Sequence, residues 1–127
     1  MEAGMAMEFD LLVMGAGPAG LFCGIQAASA GMRVCILEKT ASAGKKLRIA
    51  GSGRCNVTNA ASIQDFPGHY GEAARFVAPA LRNFTNADLI AYFSGHHVPL
   101  VEMNDGKMFP VSQKSQDVLK ALLDDLA

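Results

Sequence analysis

The stretch that most constrains the fold is "FDLLVMGAGPAG", residues 9–20. An almost unbroken apolar run over 9–14 passes directly into three glycines, Gly15, Gly17 and Gly20. A short continuous run of this kind suits a strand buried on both faces of a parallel sheet. Residues 18–30 then read as a helix, because Pro18 suits a first-turn position and Gly31 suits a stop. Leu21, Phe22, Ile25 and Ala28 give that helix an apolar face. Gly20, Gly24, Ala27 and Ala28 form a small-residue stripe that lets it lie close to a sheet. Residues 33–37, "RVCIL", are a second buried strand ending at Glu38. Together these segments predict a βαβ unit.

The glycines fit G-x-G-x-x-G, and each has a physical task. Gly15 permits the tight turn out of the strand, Gly17 leaves room for a pyrophosphate near the backbone, and Gly20 permits close helix packing. The helix start offers free N–H groups and a positive dipole end. Glu38 falls 18 residues after Gly20, near the spacing of about 20 expected for the ribose-binding acid. A carboxylate there can accept from both ribose hydroxyls and repels a 2′-phosphate, which disfavours NADP. The predicted site is therefore for a dinucleotide, and its spacing is the same for FAD and NAD.

Beyond the unit, residues 40–70 read as irregular. Residues 72–83 suggest a helix that Pro79 would break or kink. Thr85 or Asn86 would cap a helix over 87–95 with Leu89, Ile90 and Phe93 inward. "VPLVEM" and "KMFPV" read as two short strands around a turn at Asn104, Asp105 and Gly106. Ser112 or Ser115 would cap a final helix whose Val118, Leu119, Leu122, Leu123 and Leu126 share one face. Two parallel strands and a hairpin are less sheet than a doubly wound domain needs. The expectation is a flexible tail over 1–8, then residues 9–127 as the N-terminal part of a longer, truncated domain.

Composition excludes several classes. A net charge of −1 gives no global case for nucleic-acid or membrane binding. Three widely spaced cysteines argue against a disulfide scaffold and for reduced thiols. Residues 11–30 are cut by four glycines and a proline, so they do not read as a membrane span. The acidic N-terminal residues do not suit a signal peptide. The expected location is the cytoplasm.

One stretch fits neither helix nor strand: "GKKLRIAGSGRCNVTN", residues 44–59. With "GAGPAG", the "LEK" that closes the second strand, and the later "GKMFPVS", it resembles the bacterial flavoproteins of the HI0933-like group. That group comprises FAD-dependent oxidoreductases of the two-dinucleotide-binding-domain superfamily, some of them aminoacetone-oxidase-like. The resemblance implies an α/β, Rossmann-like FAD/NAD(P)-binding domain, incomplete here, with a β-hairpin insertion. It implies that Gly15, Ala16, Gly17, Pro18, Ala19 and Gly20 hold the FAD pyrophosphate, and that Glu38, next to Lys39, holds the adenosine ribose. Lys46, Arg54, Cys55 and Asn56 then lie along the middle of the cofactor. Arg54 would make a forked phosphate contact, and Asn56 would donate to and accept from flavin or ribitol atoms. The flavin would carry the electron-transfer chemistry. No catalytic acid or base is forced by the residues.

The sequence departs from the group in two places. Ala50, Gly51, Ser52 and Gly53 stand where a serine and three glycines are usual, so Ser52 could narrow a close backbone approach. Lys107 stands where an arginine is usual, which keeps the charge and loses the planar fork.

Other residues invite weaker readings. Cys55 has no nearby partner for a redox pair and reads as a packing or cofactor-contact residue, while Cys23 and Cys35 read as core. His69, His96 and His97 lack ligand-spaced partners, so no metal is expected. Asp117, Asp124 and Asp125 read as solvated. The expected partners are FAD, the rest of a longer chain, and NAD(P)H or a small-molecule electron donor. An NAD-dependent dehydrogenase segment and a non-catalytic dinucleotide-binding module remain the alternatives.

Overall fold

The computed structural model describes residues 8–127, and the tail expected over 1–8 lies, apart from Glu8, outside them. Strand β1 (Leu11–Met14), helix α1 (Pro18–Ser29) and strand β2 (Val34–Leu37) form the βαβ unit. The strands pair in parallel, Leu11 opposite Val34 through Met14 opposite Leu37. Helix α1 ends where expected. Gly31 N–H donates to Ala28 O at 2.9 Å and Met32 N–H to Ala27 O at 3.1 Å, the paired bonds of a Schellman stop.

After β2 the chain forms α2 (Lys45–Ile49), β3 (Thr58–Asn59), a 3₁₀ segment (Phe66–Ala73), α3 (Ala74–Asn83) and α4 (Asn86–Gly95). Strands β4 (Leu100–Glu102) and β5 (Lys107–Pro110) and helix α5 (Ser115–Leu126) complete it. The second sheet is antiparallel, in the order β3-β5-β4. The expected hairpin is present, with Asp105 at φ 61° and Gly106 at φ 72° in its turn. Strand β3 adds a third member that two residues are too short to announce.

The core lies between helices. Leu21 and Ile25 of α1 meet Val118, Leu119 and Leu122 of α5, with Leu47, Cys55, Phe93 and Val98 around them. The apolar face of α5 therefore packs on α1 and α2, where a sheet was expected beneath it. Gly24 permits the close approach, since a Cβ there would stand 2.7 Å from Ile36 Cδ1 and 3.2 Å from Leu126 Cδ1.

Several local expectations change. Strand β1 is covered on one face only, with Leu12 and Met14 exposed on the other. Helix α3 runs through Pro79, because a proline in its second turn removes one hydrogen bond from a helix with no buried residue to displace. Residues 40–70 are less irregular than expected, holding α2, β3 and the start of the 3₁₀ segment. Helix α4 has Thr85 as its cap, in a capping box with Asp88. No side chain caps α5. Ser115 is instead buried and donates from Oγ to Arg48 O at 2.8 Å. Cys23 is exposed, against the expectation of core, and all three cysteines are free thiols. Asp125 accepts from Tyr92 Oη at 2.7 Å and lies 3.5 Å from His96 Nε2, so it is partnered where a solvated side chain was expected.

Candidate dinucleotide-binding site

The glycine turn sits at the carboxyl ends of β1 and β2, where open α/β sheets bind ligands. Gly15 has φ 100°, a conformation that L side chains rarely adopt. Its N–H donates to Leu37 O at 2.7 Å, which fixes the exit of β1 against β2. Gly20 is a packing position, since a Cβ there would stand 2.0 Å from Gly15 O. Gly17 differs, because a Cβ on it would meet nothing within 4 Å. The space over Gly17 is open, and no side chain caps the first turn of α1. Pro18 at the helix start has no N–H, so Ala19 and Gly20 supply the first helical donors.

Ala16 joins three segments. Its N–H donates to Glu38 Oε2 at 2.9 Å, and its carbonyl accepts from Gly44 N–H at 2.8 Å. Glu38 Oε1 accepts from Thr40 N–H and from Thr40 Oγ1, each at 2.8 Å. The N–H of Ala16, then the two donors of Thr40, hold the Glu38 carboxyl down at about 2 from the usual 4.5. Glu38 is thus ionised at neutral pH. A carboxylate has about four lone-pair sites, and three are used within the protein. Glu38 also lines a cleft of about 430 Å³ with Met14, Gly15, Leu37 and Lys39. The acid therefore ties the turn to the segment after β2.

The stretch from Gly44 continues away from the turn. Helix α2 carries Lys45 and Lys46 exposed, with Leu47 buried beneath them. Arg48 donates to Ser42 Oγ. Then Gly51 (φ 56°), Ser52 (φ 56°), Gly53 (φ 82°) and Cys55 (φ 62°) all adopt the left-handed conformation. Such a run is unusual for residues with a Cβ. Ser52 therefore carries backbone strain that a glycine there would not. The loop is held by Cys55 N–H to Ala50 O at 2.9 Å and by Ser115 N–H to Gly53 O at 2.9 Å.

This loop turns its side chains to different places. Cys55 is buried, and burial pushes its thiol pKa up, so it is a protonated packing residue at neutral pH. Cys55 and Asn56 line an apolar cleft of about 220 Å³ together with Pro18, Phe22 and Val118. The Asn56 amide is oriented by its surroundings, its nitrogen donating to Thr58 O at 2.9 Å and Met108 O at 3.2 Å. Both donors are spent, so Asn56 retains an acceptor alone. Asn56 also borders a second cleft, of about 540 Å³, which contains Arg54, Lys107 and the hairpin turn.

Of the residues singled out from sequence, the structure brings together 15–20, Glu38 and Lys39 at the strand ends. Cys55 and Asn56 adjoin them through Pro18. Lys46 stands on the exposed side of α2 and lines none of these three clefts. Arg54 lies in the outer cleft, which holds no residue of the glycine turn. Sequence reasoning missed Thr40, and gave Gly44 and Ser115 no part in tying the turn and the loop together. A threonine two residues after the acid is the one available signal, since such hydroxyls bond locally to neighbouring groups.

Among the described residues, no helix is long and apolar enough to cross a membrane. Over 119 residues the chain is 34% identical to a ribosomal RNA dihydrouridine synthase of Escherichia coli, covering 93% of this chain and 29% of that protein. It is 30% identical over 112 residues to a 3-dehydro-bile acid delta(4,6)-reductase of Clostridium scindens, covering 87% and 27%. A 46-residue segment is 44% identical to a digeranylgeranylglycerophospholipid reductase of Methanoculleus marisnigri, covering 36% and 12%. These relatives are oxidoreductase-type enzymes, and the chain spans less than a third of each one's length. Residues 9–127 match the family of the HI0933-like protein Rossmann domain, and with its glycine turn and strand-end acid the chain belongs to that family as a Rossmann-type dinucleotide-binding unit.

Proposed function

We propose that this chain holds FAD as the dinucleotide-binding part of a flavin-dependent oxidoreductase working in the reducing direction. The observation that carries the reading is the open space over Gly17 beside an uncapped helix start, with an ionised Glu38 latched to the same turn. An anionic pyrophosphate fits there, because α1 offers backbone donors and its first turn holds no acid. Lys39 beside the strand-end cleft adds positive charge. Glu38 would accept one adenosine ribose hydroxyl on Oε2. Cys55 and Asn56 would border the flavin half, with Asn56 Oδ1 as an acceptor.

FAD, when bound, supplies hydride transfer, and the chain's own residues orient it and exclude water from one side. The reducing direction is suggested by the relatives' names, which describe two reductases and a dihydro product. The test is the visible absorption spectrum of the full-length protein, followed by a screen of NADH, NADPH and small-molecule donors. A flavin spectrum bleached by a donor is expected. A colourless protein that takes up no flavin refutes the reading, and tight NAD binding without flavin favours a dehydrogenase.

A further inference from the structure

The outer cleft is not absorbed by this reading. Its walls are Gly51, Ser52, Arg54 and Asn56 on one side and Met103, Asn104, Asp105, Lys107 and Phe109 on the other. Arg54 is fixed there. Its Nε donates to Gly51 O at 3.3 Å, and its guanidinium lies over the Phe109 ring, 4.8 Å from the centroid. Among the described residues the two terminal nitrogens have no hydrogen-bond or ion-pair partner. A guanidinium held by its inner nitrogen and one face keeps its outer fork for an oxyanion at small entropic cost. Across the cleft, Lys107 Nζ lies 3.7 Å from Asp105 Oδ2, both well exposed. The ionisable side chains of the cleft therefore sum to one positive charge.

We propose that this cleft is an anion subsite for the substrate, with Arg54 as the forked contact, Lys107 as a supporting charge and Asp105 as its opponent. This rests on the flavin reading above. The group it would take is a singly or doubly charged oxyanion, a phosphate or a carboxylate, carried by the molecule that is reduced. The cofactor's own pyrophosphate belongs at the α1 start, outside this cleft, because Pro18 borders the neighbouring apolar cleft and Arg54 only the outer one. Asn56 borders both, so a molecule anchored at Arg54 would extend toward the flavin half of the cofactor.

The test uses the full-length, flavin-loaded protein at low salt. Binding of uridine 5′-monophosphate and of cholate is measured by calorimetry, with flavin content read by absorbance. The two probes separate a phosphate preference from a carboxylate preference, and binding of either one supports the subsite. Loss of a charged forked contact in Arg54→Ala should weaken the bound probe about tenfold or more, with Arg54→Lys intermediate. Asp105→Asn should tighten binding, an effect that misfolding cannot mimic, and Asn tolerates the left-handed φ of 61° at that position. Flavin content should be unchanged in all three. If wild-type protein carries flavin but binds neither probe, or if Arg54→Ala releases the flavin, the proposal is overturned while the flavin reading stands. A flavin-free wild-type protein overturns both.

Discussion

Gly17→Ala and Gly20→Ala change one atom each, three residues apart, and the structure assigns them opposite consequences. At Gly20 the new Cβ would stand 2.0 Å from Gly15 O, with Val13 Cγ1 at 3.3 Å. The near atom is backbone, so the start of α1 must move away from β1. Overpacking of this kind costs about 3 kcal/mol. Alanine recovers about 1 kcal/mol of helix propensity, leaving a net loss of about 2 kcal/mol. At Gly17 the backbone is extended, φ −80° and ψ 178°, and the Cβ meets nothing. Any L residue adopts that conformation, and the gain of about 0.5 kcal/mol from reduced freedom of the unfolded chain is offset by a similar loss at the N-cap of α1, where alanine is poorer than glycine, so Gly17→Ala should stay within about 0.5 kcal/mol of wild type. The same methyl fills the open space where a pyrophosphate would approach. Flavin retention should therefore drop by about tenfold or more, equivalent to about 1.4 kcal/mol of lost binding. Urea denaturation measures the first quantity, and flavin content after dialysis the second. The reasoning fails if Gly17→Ala is as unstable as Gly20→Ala, or if it keeps its flavin.

Three further outcomes follow from named contacts. Ser52→Gly should raise stability by about 1 kcal/mol, because it removes a left-handed serine; an unchanged or lowered urea midpoint would contradict this. Ser115→Ala should cost about 1 kcal/mol, since it leaves the part-buried Arg48 O without its Oγ donor; a midpoint equal to wild type would show that the bond is idle. Glu38 titrates at about 2 in the folded chain against 4.5 ordinarily, so its three hydrogen bonds contribute fully above pH 4.5 and are lost as pH falls toward 2. Glu38→Gln should flatten that part of the acid-unfolding curve, and an unaltered slope between those pH values would refute the latch.

Periodicity made the βαβ unit legible because its signals are local. An apolar run, a glycine turn, a proline at the helix start and a glycine stop each act within a few residues. Helix α4 and the hairpin were legible for the same reason, through Thr85 and the Asn-Asp-Gly turn. What α5 packs against was not legible, because its apolar stripe fits a sheet or a helix equally well. Gly24 of α1 sits between Ile36 of β2 and Leu126 of α5, and that choice lives in tertiary contact. Strand β3 escaped because its pairing with β5 is set by residues 107–108, far along the chain.

The candidate site divides along the same line. Gly15, Gly17, Gly20 and Glu38 are chosen by what a side chain must or must not do, so their identities carry the message. Ala16 works through its N–H and carbonyl, which almost any residue could supply, and so its central place leaves no mark in the sequence. Through that one peptide the turn is tied to Glu38 on one side and to Gly44 on the other. The acid next to the turn is then structural before it is ligand-binding, because two donors of Thr40 and one of Ala16 take most of its capacity. Arg54 shows the converse. The resemblance implied a forked phosphate contact along the middle of the cofactor. The left-handed run from Gly51 to Cys55 turns the chain so that Cys55 enters the core and Arg54 faces the hairpin. Four positive φ angles in five residues set the cation on the wall of the outer cleft, and no count of basic residues could have shown that.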